Sequence, residues 1–541
     1  MASPQNRVIG FLVTCTLLPL FVSCSDNPAK PDTDPPASPS DLAVTVHTPR
    51  SITLSWTATG DDSLSGRASH YDIRYAGDEI TVANWDAALQ VSGEPVPQAP
   101  GMAETMTVSG IDFPDTVYFA VRAGDESENW SEMANFARAV LPWGSTVTFR
   151  DTNLEAAVRE ALEKPFDSIY VSELLTLDSL CARDRRIADL SGLEYCANLE
   201  VLELCCNDFS EVSPLAGLSH LRRLDLRHNT IGDILPLANL QELTELRLNS
   251  NHISDLGPLA GLTQLHLLYL LQNEISNISP LSELTGLSTL ELGYNDISDI
   301  SPLSALTQLE RLNLSDNRIS DISVLSGLSR IGTALLDKNT ISDLGPLSNL
   351  TNLKWLWLSD NDIDNLAPLT GLTKLDELWL TDNRISDVAP LASLTDLRVL
   401  QLRRNEITNV NPLGGLTNLT ELYLDSNNVS DIAPLEGLVN LEYFFVPYNH
   451  VSEISALTSM SHLTYLWLQY NDISDISPLA ELTNLEHVLL AENEISDIGA
   501  LVDNPGLGAE DLVYLENNPL SIQSVEEYIP ALQGRGVTVS Y

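Results

Sequence analysis

Four cysteines, Cys181, Cys196, Cys205 and Cys206, fall within 26 residues. A thiolate can ligate a metal or act as a nucleophile, so spacing decides what such a cluster could do. The paired C-x2-C intervals of a zinc site are missing. The expectation is one or two local disulfides plus one buried thiol, with the pairing open. A second candidate is Asp233, Asp255, Asp299, Asp321, Asp343, Asp387, Asp431, Asp475 and Asp497, all separated by multiples of 22 residues. A carboxylate ladder could hold Ca²⁺. An Asp ahead of a turn more often accepts a backbone N–H and caps it, and capping is expected here. Asp360-x-Asp362-x-Asp364 begins like a calcium loop but lacks its Gly and closing Glu. The sequence has no H-E-x-x-H, G-x-S-x-G, phosphate loop or G-x-G-x-x-G. The nine histidines are scattered, and His228 and His487 read as outward but isolated. The chain therefore reads as non-enzymatic, without cofactor or metal.

The remaining candidates are aromatic, and a 22-residue period positions them. Asn207, Asn229, Asn251 and their successors to Asn493 recur through thirteen equal intervals without an insertion. With Asn as position n, Leu or an equivalent returns at n−8, n−5 and n−3, as in Leu221-x-x-Leu224-x-Leu226-x-x-Asn229-x-Ile231. An apolar residue follows at n+5, and Leu at n+8, usually after Pro. Such a period is the mark of a stacked solenoid. The L-x-L stretch predicts a short strand, and stacked copies predict a parallel sheet. The Asn should turn inward and satisfy backbone groups of neighbouring turns. Pro excludes a long helix on the far side, so 3₁₀ or extended turns are expected there.

Residues at n−5 and n−3 then face the core, and those at n−6, n−4 and n−2 line the concave face, with n−1 beside them. That face is where solenoids bind. It collects Trp355 and Tyr443 and Tyr465 at n−6, and Trp357, Trp379, Tyr423, Phe445 and Trp467 at n−4. Tyr448 and Tyr470 join them at n−1. These ten are the candidate ligand-binding residues, because rigid aromatic surface dominates binding hot spots. Arg222, Arg223, Arg227, Arg247, Arg311, Arg403 and Arg404 also fall between n−7 and n−1. They could meet carboxylates of a partner, or pair across strands with Glu203, Asp225, Glu245 and Glu291.

The 22-residue pattern, with stretches such as Ile297-Ser-Asp-Ile-Ser-Pro-Leu303, closely resembles the internalin type of leucine-rich repeat. That resemblance spans about 150–541 and implies an α/β solenoid with a protein ligand on its concave side. An N-terminal cap is expected over 145–200, with a helix through Leu154–Leu162 started by Asp151-Thr152 and stopped by Pro165. Repeats fill 201–504, and a capping repeat closes 505–541. Residues 40–141 alternate with period two and resemble a fibronectin type III β-sandwich. The carrying residues are Leu54-Ser-Trp56, Tyr71-x-Ile73-Arg-Tyr75, Thr116-x-Tyr118-x-Ala120-Val-x-Ala123 and Asn129-x-Ser131. Such domains are mostly spacers.

Residues 1–24 read as an export signal. Its end, Leu20-Phe21-Val22-Ser23-Cys24, resembles a bacterial lipoprotein signal, which implies lipidation of Cys24. Residues 25–39, with five prolines, form a tether. The net charge is 28 − 75 = −47, which disfavours nucleic acid and favours a soluble monomer. The expected protein is exported, either a cell-surface lipoprotein touching the membrane only through its lipid or a secreted chain. Its expected role is adhesion or recognition of a protein or glycan ligand. The alternatives are a structural or spacer module of the envelope, or an accessory targeting or inhibitory subunit of a secreted enzyme.

Overall fold

The computed structural model describes residues 32–47, 51–62, 66–109, 111, 116–140 and 145–541. The export signal with Cys24, and the tether as far as residue 31, lie outside the described residues. The chain divides into two compact units, Met1–Leu141 and Pro142–Tyr541. Among the described residues no helix is long and apolar enough to cross a membrane.

Among its described residues the first unit holds seven strands: β1 (Ala43–His47), β2 (Ser51–Thr57), β3 (His70–Ala76), β4 (Leu89–Gln90), β5 (Ala103–Ser109), β6 (Thr116–Gly124) and β7 (Ala137–Val140). They form two antiparallel sheets, ordered β1-β2-β5 and β4-β3-β6-β7. Alternation buries Ile52, Leu54, Ile73, Val117, Phe119 and Val121. Trp56 and Tyr71, one from each sheet, meet edge to face with ring centroids 5.3 Å apart.

The second unit opens with β8 (Thr146–Val147), α1 (Thr152–Ala161) and β9 (Ile169–Tyr170). Asp151 Oδ1 accepts from the N–H groups of Asn153 and Leu154 at 2.8 and 3.1 Å, which starts α1. Leu154, Ala157 and Val158 of its inner face are buried. Then come seventeen three-residue strands, from β10 (Ser179–Cys181) to β26 (Thr538–Ser540), in one parallel sheet in strict chain order. Pairing matches equivalent positions of successive turns, as in Trp355↔Glu377, Leu356↔Leu378 and Trp357↔Trp379. The central residue of each strand from β10 to β25 points inward and is buried, and Val539 of β26 is partly buried. One hydrophobic core runs unbroken from Phe149 to Val537. The far side of most turns is a 3₁₀ segment, such as Ser301–Ala305, with Pro at its start.

The repeating asparagine holds each strand exit. Asn251 is typical. Its Nδ2 donates to Leu226 O at 3.1 Å and Leu248 O at 3.0 Å, and its Oδ1 accepts from Ile231 N–H at 3.0 Å. One side chain thus satisfies backbone groups on two turns, as buried backbone requires.

Candidate functional site

The strand face carries the chemistry, and its two halves differ. In the N-terminal half the arginines pair within the chain. Arg183 meets Glu203 at 2.8 Å, and Arg227 meets Asp225 at 2.7 Å. Arg223 lies 3.4 Å from Glu203 and 3.5 Å from Glu245. Arg222 pairs with Glu200, Arg247 with Glu245 and Arg311 with Glu291. Further along, Arg403 pairs with Asp425 and Arg404 with Asp382. Of the two uses open to this stripe the geometry realises pairing within the chain, mostly across strands and, for Arg227 and Arg247, with a carboxylate two residues away on the same turn.

The C-terminal half is aromatic. A 22-residue spacing on a parallel sheet brings like positions into columns. Trp357 and Trp379 stack with centroids 4.0 Å apart and planes 8° from parallel. Trp355 stands outside that stack, 39% exposed, beside Lys354. The second group forms three columns. At n−6, Tyr443 stacks on Tyr465 at 4.8 Å and Tyr465 on His487 at 4.5 Å. At n−4, Tyr423 meets Phe445 edge to face at 4.9 Å, and Phe445 stacks on Trp467 at 4.2 Å. At n−1, Tyr448 stacks on Tyr470 at 4.2 Å. His487 is therefore not isolated but a rung of a ladder, and only its spacing from Tyr443 and Tyr465 foretells it.

Exposure divides these rings. Tyr448 and Tyr470 are 52% and 42% exposed, whereas Phe445 is 6% exposed and forms the floor under its neighbours. The other n−6 and n−4 rings are half-buried. Arg403 lies over the Tyr423 ring, 4.4 Å from its centroid. The Tyr423 hydroxyl donates to Glu421 Oε2 at 2.7 Å, and burial first, then that bond, drives its pKa upward. Burial likewise raises Glu377, helped by Asp376 and Glu421. The indole N–H groups of Trp379 and Trp467 are buried without a partner.

Sequence reading missed one backbone feature. The residue at n−1 has φ between +49° and +62° in every turn from Cys206 to Glu492, and in Asn517. No turn uses glycine there, so composition gives no hint. The conformation lets the n−1 N–H reach the next turn, as Tyr294 N–H does to Ser315 O at 2.7 Å.

The metal and thiol candidates resolve differently. Each recurring Asp caps the turn that follows it, a 3₁₀ segment in all but the last: Asp299 Oδ1 accepts from Ser301 N–H at 2.8 Å, Asp387 does the same for Ala389, and Asp497 caps a short α-helix. Among the described residues no group of three or more His, Cys, Asp or Glu is placed to hold a metal. The four cysteines are all free, which corrects the expected disulfides. Their surroundings differ: Cys196 is in the core, Cys205 is buried at a strand end beside Cys206, and Cys181 and Cys206 are exposed. Burial pushes the Cys196 thiol up to about 12 and the Cys205 thiol to about 11.

Comparison with known proteins agrees with this architecture. The description "Leucine Rich repeats (2 copies)" matches residues 241–283, 285–327, 351–393, 373–415, 395–437, 417–459 and 461–503, and "Leucine rich repeat" matches 197–253. Calcium-activated chloride channel regulator 1 of Mus musculus is 32% identical over 114 residues. That is 20% of this chain and 12% of that protein, so the chain spans a small part of this relative. The functional domain of InlJ from Listeria monocytogenes is 22% identical, with a TM-score of 0.60 over 69% of this chain and 82% of that one. The plant peptide hormone receptor RGFR1 in complex with RGF2 is 21% identical, with a TM-score of 0.51 over 63% and 66% of the two chains. At these identities the two structures are evidence of fold. With its period, parallel ladder and asparagine network, the chain belongs to the leucine-rich-repeat family.

Proposed function

We propose that this chain is a non-enzymatic, extracellular recognition protein whose ligand docks on the C-terminal half of the strand face, the concave side of a solenoid. The observation that carries the reading is the aromatic ladder of residues 423–487, where stacked rings line one surface at the spacing of the turns. Trp and Tyr bury large rigid area at little entropic cost, which makes them effective anchors. Stacking also bears on ligand class. A sugar needs an open ring face, and this ladder spends most of its faces on neighbouring rungs. Edges and hydroxyls are what remain, and these suit a polypeptide. The peptide complex of the plant receptor shows that one solenoid of similar fold binds a peptide. The two sheets of the first unit are read as a fibronectin-like spacer, α1 as part of the solenoid's cap, and residues 1–39 as export signal, lipid attachment at Cys24 and tether.

The test compares the chain from Ser25 onward with a Trp355→Ala/Tyr448→Gly/Tyr470→Gly variant, in pull-downs from envelope fractions and on a glycan array. Each anchor lost should cost about 2 kcal/mol of binding. Capture of a protein by the wild type that disappears in the equally stable variant supports the reading. Equal capture by both would move the role to a structural or spacer module.

A further inference from the structure

Residues 405–541 contain twenty aspartates and glutamates and a single basic residue, Arg535. Arg535 is committed to backbone, donating to the carbonyls of Val502, Asn504 and Leu507. The ladder of residues 423–487 lies wholly in this stretch. Beside its n−6 column runs a groove of about 480 Å³, lined by Glu442, Thr464, Glu486 and Asp511 with His462 at its edge. Glu442 and Glu486 are exposed, and among the described residues neither enters an ion pair. Their negative charge reaches the ladder. The Tyr443 hydroxyl is raised by burial, then by Tyr465, Glu421, Glu442 and Glu486. In the other half most carboxylates of the face already hold arginines, and Glu310 of the same edge has His266 and Lys354, not carboxylates, two turns to either side.

We propose that this groove and the adjoining aromatic columns bind a polyproline-II-like polypeptide segment with Lys or Arg at every third residue. The inference rests on the strand-face reading above and narrows it to one groove and one partner chemistry. Three arguments converge. An anionic tract without an available cation requires its partner to bring positive charge. Lys and Arg lay apolar stems along ring edges while their heads reach carboxylates. The spacing also fits. Glu442 and Glu486 are two turns apart, about 9.6 Å at the strand separation of a sheet. In a polyproline-II helix residues i and i+3 share a face and lie about 9.3 Å apart. Successive basic residues would therefore meet successive carboxylates, and the n−6 rings next to those carboxylates in sequence offer the aromatic surface that suits this backbone.

The test uses the full chain and a fluorescent (Pro-Pro-Lys)4 peptide, with (Pro-Pro-Glu)4 as the opposite-charge control, read by anisotropy at low salt. Saturable binding of the lysine peptide alone is expected. It should weaken about tenfold in a Glu442→Gln/Glu486→Gln variant, because two exposed ion pairs are lost. A Glu310→Gln variant, altered on the same edge but far along the solenoid, should bind like the wild type. No binding of the lysine peptide would overturn the inference. So would an unchanged affinity in the double variant, or an equal loss in Glu310→Gln. A ligand whose capture depends on Trp355, Tyr448 and Tyr470 but not on Glu442 and Glu486 would overturn it too, and leave the strand-face reading standing.

Discussion

The most exposed aromatic row sits on the least usual backbone. Tyr448 and Tyr470 have φ of +55° and +58°, a region in which bulky side chains cost about 1 kcal/mol or more. Glycine adopts it freely. Replacing both tyrosines by glycine loses one stacked pair, about 1 kcal/mol. It also relieves two strained positions of similar size. The expected Tyr448→Gly/Tyr470→Gly protein keeps its thermal midpoint within a few degrees while losing ligand affinity. A midpoint that falls steeply would show that the pair stabilises the fold. The same row in turns without aromatics holds Ser250, Asp316 and Arg404, so the turn itself tolerates any side chain.

A single turn is a strand, an asparagine and a 3₁₀ segment, and most of it was legible in the residues. Leu at n−5 and n−3 foretold the inward positions, Asn at n the ladder, and Pro at n+7 the short helical turn. What stayed hidden depends on contacts between turns. His487 looked isolated because only register places it on Tyr465. The arginine stripe admitted two readings because most of its carboxylate partners lie one turn away. The cysteines looked pairable because sequence proximity does not reveal which of them the core claims. Asp337 is another inter-turn effect. Its Oδ1 accepts from Ser359 N–H of the following turn at 2.8 Å, and its Oδ2 from Ser315 Oγ of the preceding turn at 3.4 Å. Burial lifts its carboxyl from 3.8 to about 6. The folded chain holds this proton more tightly than the unfolded one. The resulting stability is complete below about pH 3.8 and lost as pH rises through about 6. An Asp337→Asn variant keeps an oxygen for Ser359 and should gain on the wild type as pH rises from about 3.8 to about 6, then hold that gain. Parallel unfolding curves across that window would mean the carboxyl is not desolvated.

At the scale of the whole solenoid, each turn touches only its neighbours, so stability is close to a sum over turns and interfaces. Removal of residues 318–339, one complete turn without aromatics, should leave a folded protein. Its unfolding enthalpy should drop by about the share of one turn, with ligand affinity unchanged. A truncation of half that length, which moves every following side chain off its face, should not fold. Failure of the full-turn deletion to fold, seen by circular dichroism, would show that some turns are not interchangeable.

The strict neighbour-to-neighbour bonding has a mechanical consequence. Sheet bonds, asparagine amides and core contacts all join one turn to the next, and none ties distant turns together. Tension applied between the solenoid's ends therefore finds no single bond that holds the whole. Turns peel off from an end, each yielding a similar length of slack, and each can wind back onto the exposed rung beneath it. The turns at whichever end yields first form a reserve of extensible chain.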